Sequence, residues 1–233
     1  LAALADHQAE ITGVRPPDPD RAESAGRALR LLEELRGGSL YFPYLGSGLG
    51  RGPLVELADG SVKYDFICGI GVHYFGHGHP ALVEAALDAA LEDLVMQGNL
   101  QQNLSSVRLC ELLVGAAHRR GGALAHVFLS TSGAMAMENA LKLVFQHHSP
   151  AHRVLAFEGA FAGRSLALAQ VTDKAAYREG LPEILPVDRV PFFDPADPDG
   201  STDRALAALR GHLRRHPGRY AAMVFELVLG EGG

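Results

Sequence analysis

The chain has 233 residues, 47% of them hydrophobic and 21% charged, with a formal net charge of -6 and a pI near 6.0. That composition excludes a disordered or fibrous chain, and it gives no electrostatic reason to expect nucleic acid, whose phosphates are held by clustered Lys and Arg. No apolar run reaches the roughly 20 residues that span a bilayer, and the first ten residues lack the charged-then-apolar layout of a signal peptide. A cytoplasmic protein without a membrane partner is therefore expected. Cys68 and Cys110 stand in apolar sequence without metal-ligand spacing, which fits buried thiols in a reducing compartment.

Taken in chain order, residues 1–37 hold a polar lead with Pro16, Pro17 and Pro19, then a predicted helix over 21–35 that Gly37 and Gly38 end. Short alternating runs over 54–66 surround Asp59-Gly60, the dipeptide best suited to a tight hairpin turn. After Pro80 the pattern becomes regular. It predicts helices at 81–94 and 105–117, a strand at 125–129, a helix at 134–147, a strand at 153–157 and a helical stretch at 163–170. A short strand at 188–191, a helix at 202–215 and a strand at 220–226 follow, and residues 171–200, with Pro182, Pro186, Pro191, Pro195 and Pro198, read as a long surface connection. The basic run 212–219 contains Pro217 and reads as a solvated helix end. Strands alternating with helices of this length predict an α/β fold with a mainly parallel sheet covered on both faces, whose ligands gather at the carboxyl ends of the strands. Two regions are expected: 1–75, an N-terminal helix and hairpin segment, and 76–233, a larger domain. Leu1 at the start and Gly230-Glu231-Gly232-Gly233 at the end look like cuts, so the domain is expected to be incomplete.

The stretch with most chemical content is Ser130-Thr131-Ser132-Gly133-Ala134 between a predicted strand and a predicted helix. Gly133 permits a tight turn, and the first helical turn offers NH groups without internal partners at the positive end of the helix dipole, a site suited to phosphate. A serine in that place is equally suited to a plain N-cap, and spacing alone leaves both readings open. Gly46-Ser47-Gly48-Leu49-Gly50 lacks the spacing of a dinucleotide fingerprint, and no phosphate-loop lysine motif occurs. His73, His77 and His79 are close together, but no carboxylate or cysteine completes a metal set in their turn.

Four ordered motifs resemble the class III aminotransferases of the fold type I family. These are Tyr64-Asp65-Phe66 with Gly69-Ile70-Gly71-Val72 and Gly76-His77-Gly78-His79-Pro80; Ser132-Gly133-Ala134 with Glu138, Ala140 and Lys142; Gly159-Ala160-Phe161 with Gly163-Arg164-Ser165; and Glu226 with Gly230-Glu231-Gly232-Gly233. The resemblance covers residues 40–233. It implies the large domain of a pyridoxal 5'-phosphate transferase, with Gly133 and Ala134 giving backbone NH groups to the cofactor phosphate and Ser132 at the cap. Phe161 would stack on the pyridine ring, Glu226 would lie near that ring, Ile70 would line the substrate pocket, and Glu231 would act as a gate toward omega-amino substrates.

The implied activity of the complete protein is transamination between an ornithine-like or omega-amino donor and a 2-oxo acid, in a homodimer. The family's Schiff-base lysine and the aspartate that pairs with the pyridine nitrogen lie beyond the glycine-rich segment, so this chain by itself is expected to be inactive. Met135, Ala162, Leu227 and Leu229 depart from the family's Glu, His, Pro and Gln. They fit either an unusual subfamily or a non-catalytic relative that acts by binding or assembly.

Overall fold

The structure is a computed structural model that describes residues 1–92, 102–119 and 121–231. The end of the helix expected at 81–94 and the closing Gly232-Gly233 lie outside the described residues. The chain divides into two compact units, Leu1–Glu111 and Leu112–Gly233.

In the first unit, α1 (Ala2–Ala9) forms within the polar lead, where no helix is expected from sequence. Helix α2 (Pro19–Arg36) starts as its sequence dictates: the Asp18 carboxylate accepts from the Asp20 amide, and Pro19 occupies the first turn, where its missing NH costs nothing. Gly37, at φ 72°, ends it in the left-handed conformation that glycine adopts without steric cost. Strands β1 (Gly46–Arg51), β2 (Leu54–Leu57) and β3 (Val62–Tyr64) pair antiparallel in that order. The Asp59-Gly60 hairpin thus forms, with Gly60 at φ 78° and the Asp59 carboxylate accepting from the Ser61 amide and hydroxyl. The glycine-rich run 46–50 is itself a strand. Where a Cβ at Gly50 would stand 2.7 Å from the His77 Cβ, the backbone needs a residue without one. Glu56, 1% exposed, is paired with both Arg15 and Arg21. A short turn α3 (Cys68–Gly71) and helix α4 (Pro80–Ala90) follow. Cys68 is exposed and Cys110 half-buried, which corrects the expectation of buried thiols: Cys68 stands at φ 51° on the α3 turn, outside any packed core.

Helix α5 (Leu104–His118) carries the chain into the second unit. Helix α6 (Gly133–His147) is followed by β4 (Arg153–Phe157), α7 (Leu168–Val171), β5 (Val187–Val190), α8 (Pro198–Arg215) and β6 (Tyr220–Val224). The sheet is parallel, in the order β5-β4-β6. Because strand residues alternate between faces, Val154 and Ala156 pack with Leu141 of α6 and Leu168 and Val171 of α7. Phe157, of the opposite parity, meets Leu206 and Leu209 of α8 around an apolar hollow of about 240 Å³. At the amino ends of the strands, the Asp188 carboxylate accepts from Arg153 at 2.7 and 2.9 Å and from the Tyr220 hydroxyl at 2.6 Å, tying all three strands together.

Three expectations are corrected here. Residues 125–129 form no strand, and Phe128 is 64% exposed, because a strand exists only through ladder partners and none of the described residues supplies them. The helical stretch 163–170 shrinks to α7, since Gly163 at φ 131° cannot continue a helix. The segment 171–200 is no surface connection: Val171, Thr172, Leu185 and Val190 are buried.

Candidate active site

The carboxyl end of β6, the opening of α6 and the loop after β4 line an open cavity of about 590 Å³ in the second unit. Gly133, Ala134, Phe161 and Glu226, singled out from sequence, all line it, together with Met137, Ala162, Arg164 and Ser165.

The opening of α6 is capped in the way that one of the two sequence readings expects. Ser132, extended at φ -161°, caps the helix by accepting the Met135 amide on its hydroxyl at 3.2 Å. That satisfies the third NH of the helix and leaves the first two. Among the described residues, the Gly133 and Ala134 amides donate to no protein acceptor. Both residues line the cavity at the positive end of a 15-residue helix, a place that favours an anion. A Cβ added at Gly133 would meet nothing within 4 Å, so a phosphate-sized group has room against the backbone there.

Phe161 stands on the loop after β4, with its ring edge-on to Tyr177 at 6.5 Å. Glu226 accepts on both oxygens: one takes the Phe161 amide and the other the Gly230 amide, each at 2.9 Å. Adjacent parallel strands make this possible, since Ala156 of β4 is in register with Val224 of β6 and the two loops leave the sheet side by side. Ser165 bonds Glu138 of α6, and Gly163 approaches so closely that an added Cβ would stand 2.9 Å from Leu168 and 3.2 Å from Ala134.

Arg164 is the cation among the lining residues, and its role is missed by sequence reasoning although its motif is quoted there. Its guanidinium lies 5.9 Å from the Tyr177 ring centre, with the Lys174 ammonium 5.0 Å from the same ring. The Tyr177 hydroxyl, and after it Glu231, hold the exposed Lys174 ammonium above its ordinary range. Glu231 is not among the lining residues. It pairs with Lys174 at 3.7 Å, about half exposed. Ile70 belongs to the other compact unit, at φ 56° and 92% exposed. His77, in that unit, bonds the Asp65 carboxylate at 2.7 Å and stacks on His73 at 4.1 Å.

The unusual residues are accommodated. Met135 is 46% exposed on the first turn of α6, Ala162 packs against the core while its amide donates to Thr172, and Leu229 is buried against Gly159. Nothing in the structure explains Leu227, which is 90% exposed. Two free amides for a phosphate, a flat aromatic for a ring and one uncommitted guanidinium for a carboxylate fit pyridoxal phosphate and an amino acid in donor set and in size.

Comparisons with known proteins agree with that geometry. The aminotransferase class-III family matches residues 47–233. Acetylornithine aminotransferase 1 of Bradyrhizobium diazoefficiens is 37% identical over 156 residues, covering 64% of this chain and 37% of that protein. Acetylornithine aminotransferase of Agrobacterium fabrum is 33% identical over 190 residues, covering 79% and 43%. The backbone is similar to that of lysine aminotransferase from M. tuberculosis, with a TM-score of 0.71 and 25% identity over 88% of this chain and 52% of that one. Taurine:2-oxoglutarate aminotransferase from Bifidobacterium kashiwanohense, solved in complex with PLP and glutamate, shares the fold with a TM-score of 0.75 and 18% identity, over 88% and 48%. The chain thus spans between 37% and 52% of these relatives. With an α/β core, a cavity at the strand ends and a family match over most of its length, the chain belongs to the class-III aminotransferases.

Proposed function

We propose that the complete protein is a pyridoxal-phosphate-dependent aminotransferase that moves an amino group between an ornithine-like or omega-amino donor and a 2-oxo acid. The observation that carries this reading is the shared cavity: the two unpartnered amides of α6, Phe161 and Glu226 line one hollow at the carboxyl ends of parallel strands. When bound, pyridoxal phosphate supplies an electron sink for the carbanion that forms as the amino group changes hands. The chain's own residues do the holding. Gly133 and Ala134 bind the phosphate through backbone NH groups, and Ser132 keeps the helix end open for them. Phe161 fixes the tilt of the ring by stacking. Glu226 orients the Phe161 loop through its hydrogen bond to the Phe161 amide. Arg164, uncommitted and beside an aromatic face, orients a substrate carboxylate.

Ile70 is assigned to the substrate pocket and Glu231 to its gate, where the nearby Lys174 supplies a counter-charge. A homodimer in the cytoplasm completes the proposal, with residues 76–233 forming the first part of its cofactor domain and residues 1–75 a separate N-terminal segment.

Titrating the full-length protein with pyridoxal phosphate and with pyridoxal tests this. The phosphate form is expected to bind far more tightly, to give a visible band that borohydride removes, and to yield to inorganic phosphate as a competitor. Equal affinity for the two forms would sink the assignment. A panel of omega-amines, scored by bleaching of the visible band, then identifies the donor.

A further inference from the structure

The loop that carries Phe161 is held by side chains from a segment with no assigned role. The Asp173 carboxylate accepts from the Gly159 amide at 2.9 Å, and the Asp173 amide donates to the Ala160 carbonyl at 2.7 Å. The Thr172 hydroxyl accepts from the Ala162 amide at 3.0 Å and donates to the Gly163 carbonyl at 2.8 Å. Thr172 is 1% exposed, so this hydroxyl is available to no solvent and its two bonds lie inside the protein. Glu226 takes the Phe161 amide, and the Ala160 amide donates to the Phe157 carbonyl at 3.3 Å. Side chains thus take the amides of Gly159, Phe161 and Ala162 and the Gly163 carbonyl in a loop that lines a cavity.

That clamp has its own support. Arg189 of β5 places its guanidinium at the carboxyl end of α7, donating to the carbonyls of Gln170 at 2.9 Å, Val171 at 3.0 Å and Thr172 at 3.3 Å, while its Nε meets Asp173 at 2.9 Å. A planar fork with five donors can cap three carbonyls and pair with a carboxylate at once, which an ammonium cannot do. Arg189 and Asp173 are both mostly covered, 20% and 28% exposed, so the pair is only partly screened by solvent. Burial lowers the Arg189 guanidinium from its ordinary range, opposed by Asp173.

We infer that Thr172, Asp173 and Arg189 are positioning residues: through the 159–163 loop they set the height and tilt of Phe161 over the cavity, without touching a ligand themselves. The inference rests on the reading of that cavity as a pyridoxal-phosphate site. A site group is held within about 0.5 Å and 10–20° of its productive geometry by packing together with supporting hydrogen bonds, and stacking depends on ring orientation.

The test uses the full-length protein with T172V, which keeps side-chain volume and removes the hydroxyl, and T172S, which restores it. D173N serves if T172V fails to fold, because it keeps an acceptor for the Gly159 amide and removes the ion pair. Two readouts are needed. Amide exchange at Ala162 is expected to rise about tenfold in T172V, with Leu155 and Ala156 of β4 unchanged. The visible circular dichroism per bound cofactor is expected to fall by about half, with kcat down about tenfold and KM for the amino donor within about twofold, and T172S should recover all three. Exchange at wild-type rates in T172V would overturn the clamp. Faster exchange with unchanged dichroism and kcat would overturn the positioning role and leave a structural loop anchor. Wild-type protein that takes up no pyridoxal phosphate would refute the cofactor reading, and the positioning role with it, while the exchange experiment still decides whether the clamp holds the loop.

Discussion

Replacing Gly133 with valine separates a binding role from a folding role at one position. Gly133 is the first residue of α6, its φ lies outside the left-handed region, and an added Cβ meets no atom within 4 Å. G133V should therefore fold with a stability within about 0.5 kcal/mol of the original, since restriction of the unfolded chain offsets the poorer helix propensity of a β-branched residue. The isopropyl group instead projects where an anion would approach the two unpartnered amides. Loss of one hydrogen bond to a charged group costs about 1.5–3 kcal/mol, or an affinity weaker by roughly 10- to 150-fold at 1.4 kcal/mol per decade. The assay is isothermal titration of the full-length protein with pyridoxal phosphate and with pyridoxal, beside thermal unfolding without ligand. G133V should lose the preference for the phosphorylated form while its Tm holds. H77A is the control: it loses the bond to Asp65 and is expected to keep the preference. A G133V protein that unfolds early, or weakens for both ligands alike, would refute the reasoning, as would an equal effect of H77A on the preference.

Other outcomes follow from single contacts. S132A removes the acceptor of the Met135 amide and should lower stability by about 1 kcal/mol, read as a shift in urea midpoint at constant slope. G76A forces a Cβ to within 2.7 Å of the Gly52 backbone at φ 82°, and should cost about 1–3 kcal/mol in thermal unfolding while cofactor affinity stays unchanged. The Asp65 carboxyl is held below its ordinary range, first by the hydrogen bond from His77 and then by the Cys68 amide. The folded carboxyl titrates below the unfolded value of about 3.9, so its stabilisation is complete above that pH and fades as pH falls through the folded value. D65N should therefore be less stable at neutral pH and show a flatter loss of stability below about pH 4; an unchanged acid limb would refute the pairing.

Helices α2, α4, α5, α6 and α8 were legible because their signals are local, whereas the short turn α3 was not expected. Asp18 with Pro19, Ser132 with the Met135 amide, and Gly37 act within a few residues of themselves. The hairpin at Asp59-Gly60 was legible for the same reason. Residues 125–129 misled because their alternation describes what a strand would bury, whereas a ladder needs partners that the described residues do not provide. The strands expected at 153–157 and 188–191 did form, because β4 has neighbours on both sides and β5 pairs with it. At the site, Gly133, Ala134 and Phe161 could be named from motif order, but Arg164 was only part of a quoted motif, and Thr172, Asp173 and Arg189 carried no signal. A threonine and an aspartate before a lysine in a proline-bearing stretch look like any turn. Their role exists only through bonds to residues 159–163 and to β5.

The chain's order of residues thus determined its local elements, its helix caps and the family to which its motifs point, since each depends on neighbours a few positions apart. Tertiary structure alone decided which predicted strand finds partners, that Glu226 is bound on both oxygens, that Glu231 meets Lys174, and what holds Phe161 over the cavity. The reason is separation: Phe161 and Glu226 are 65 residues apart along the chain and 2.9 Å apart from amide to carboxylate, a meeting that only parallel pairing of β4 and β6 produces.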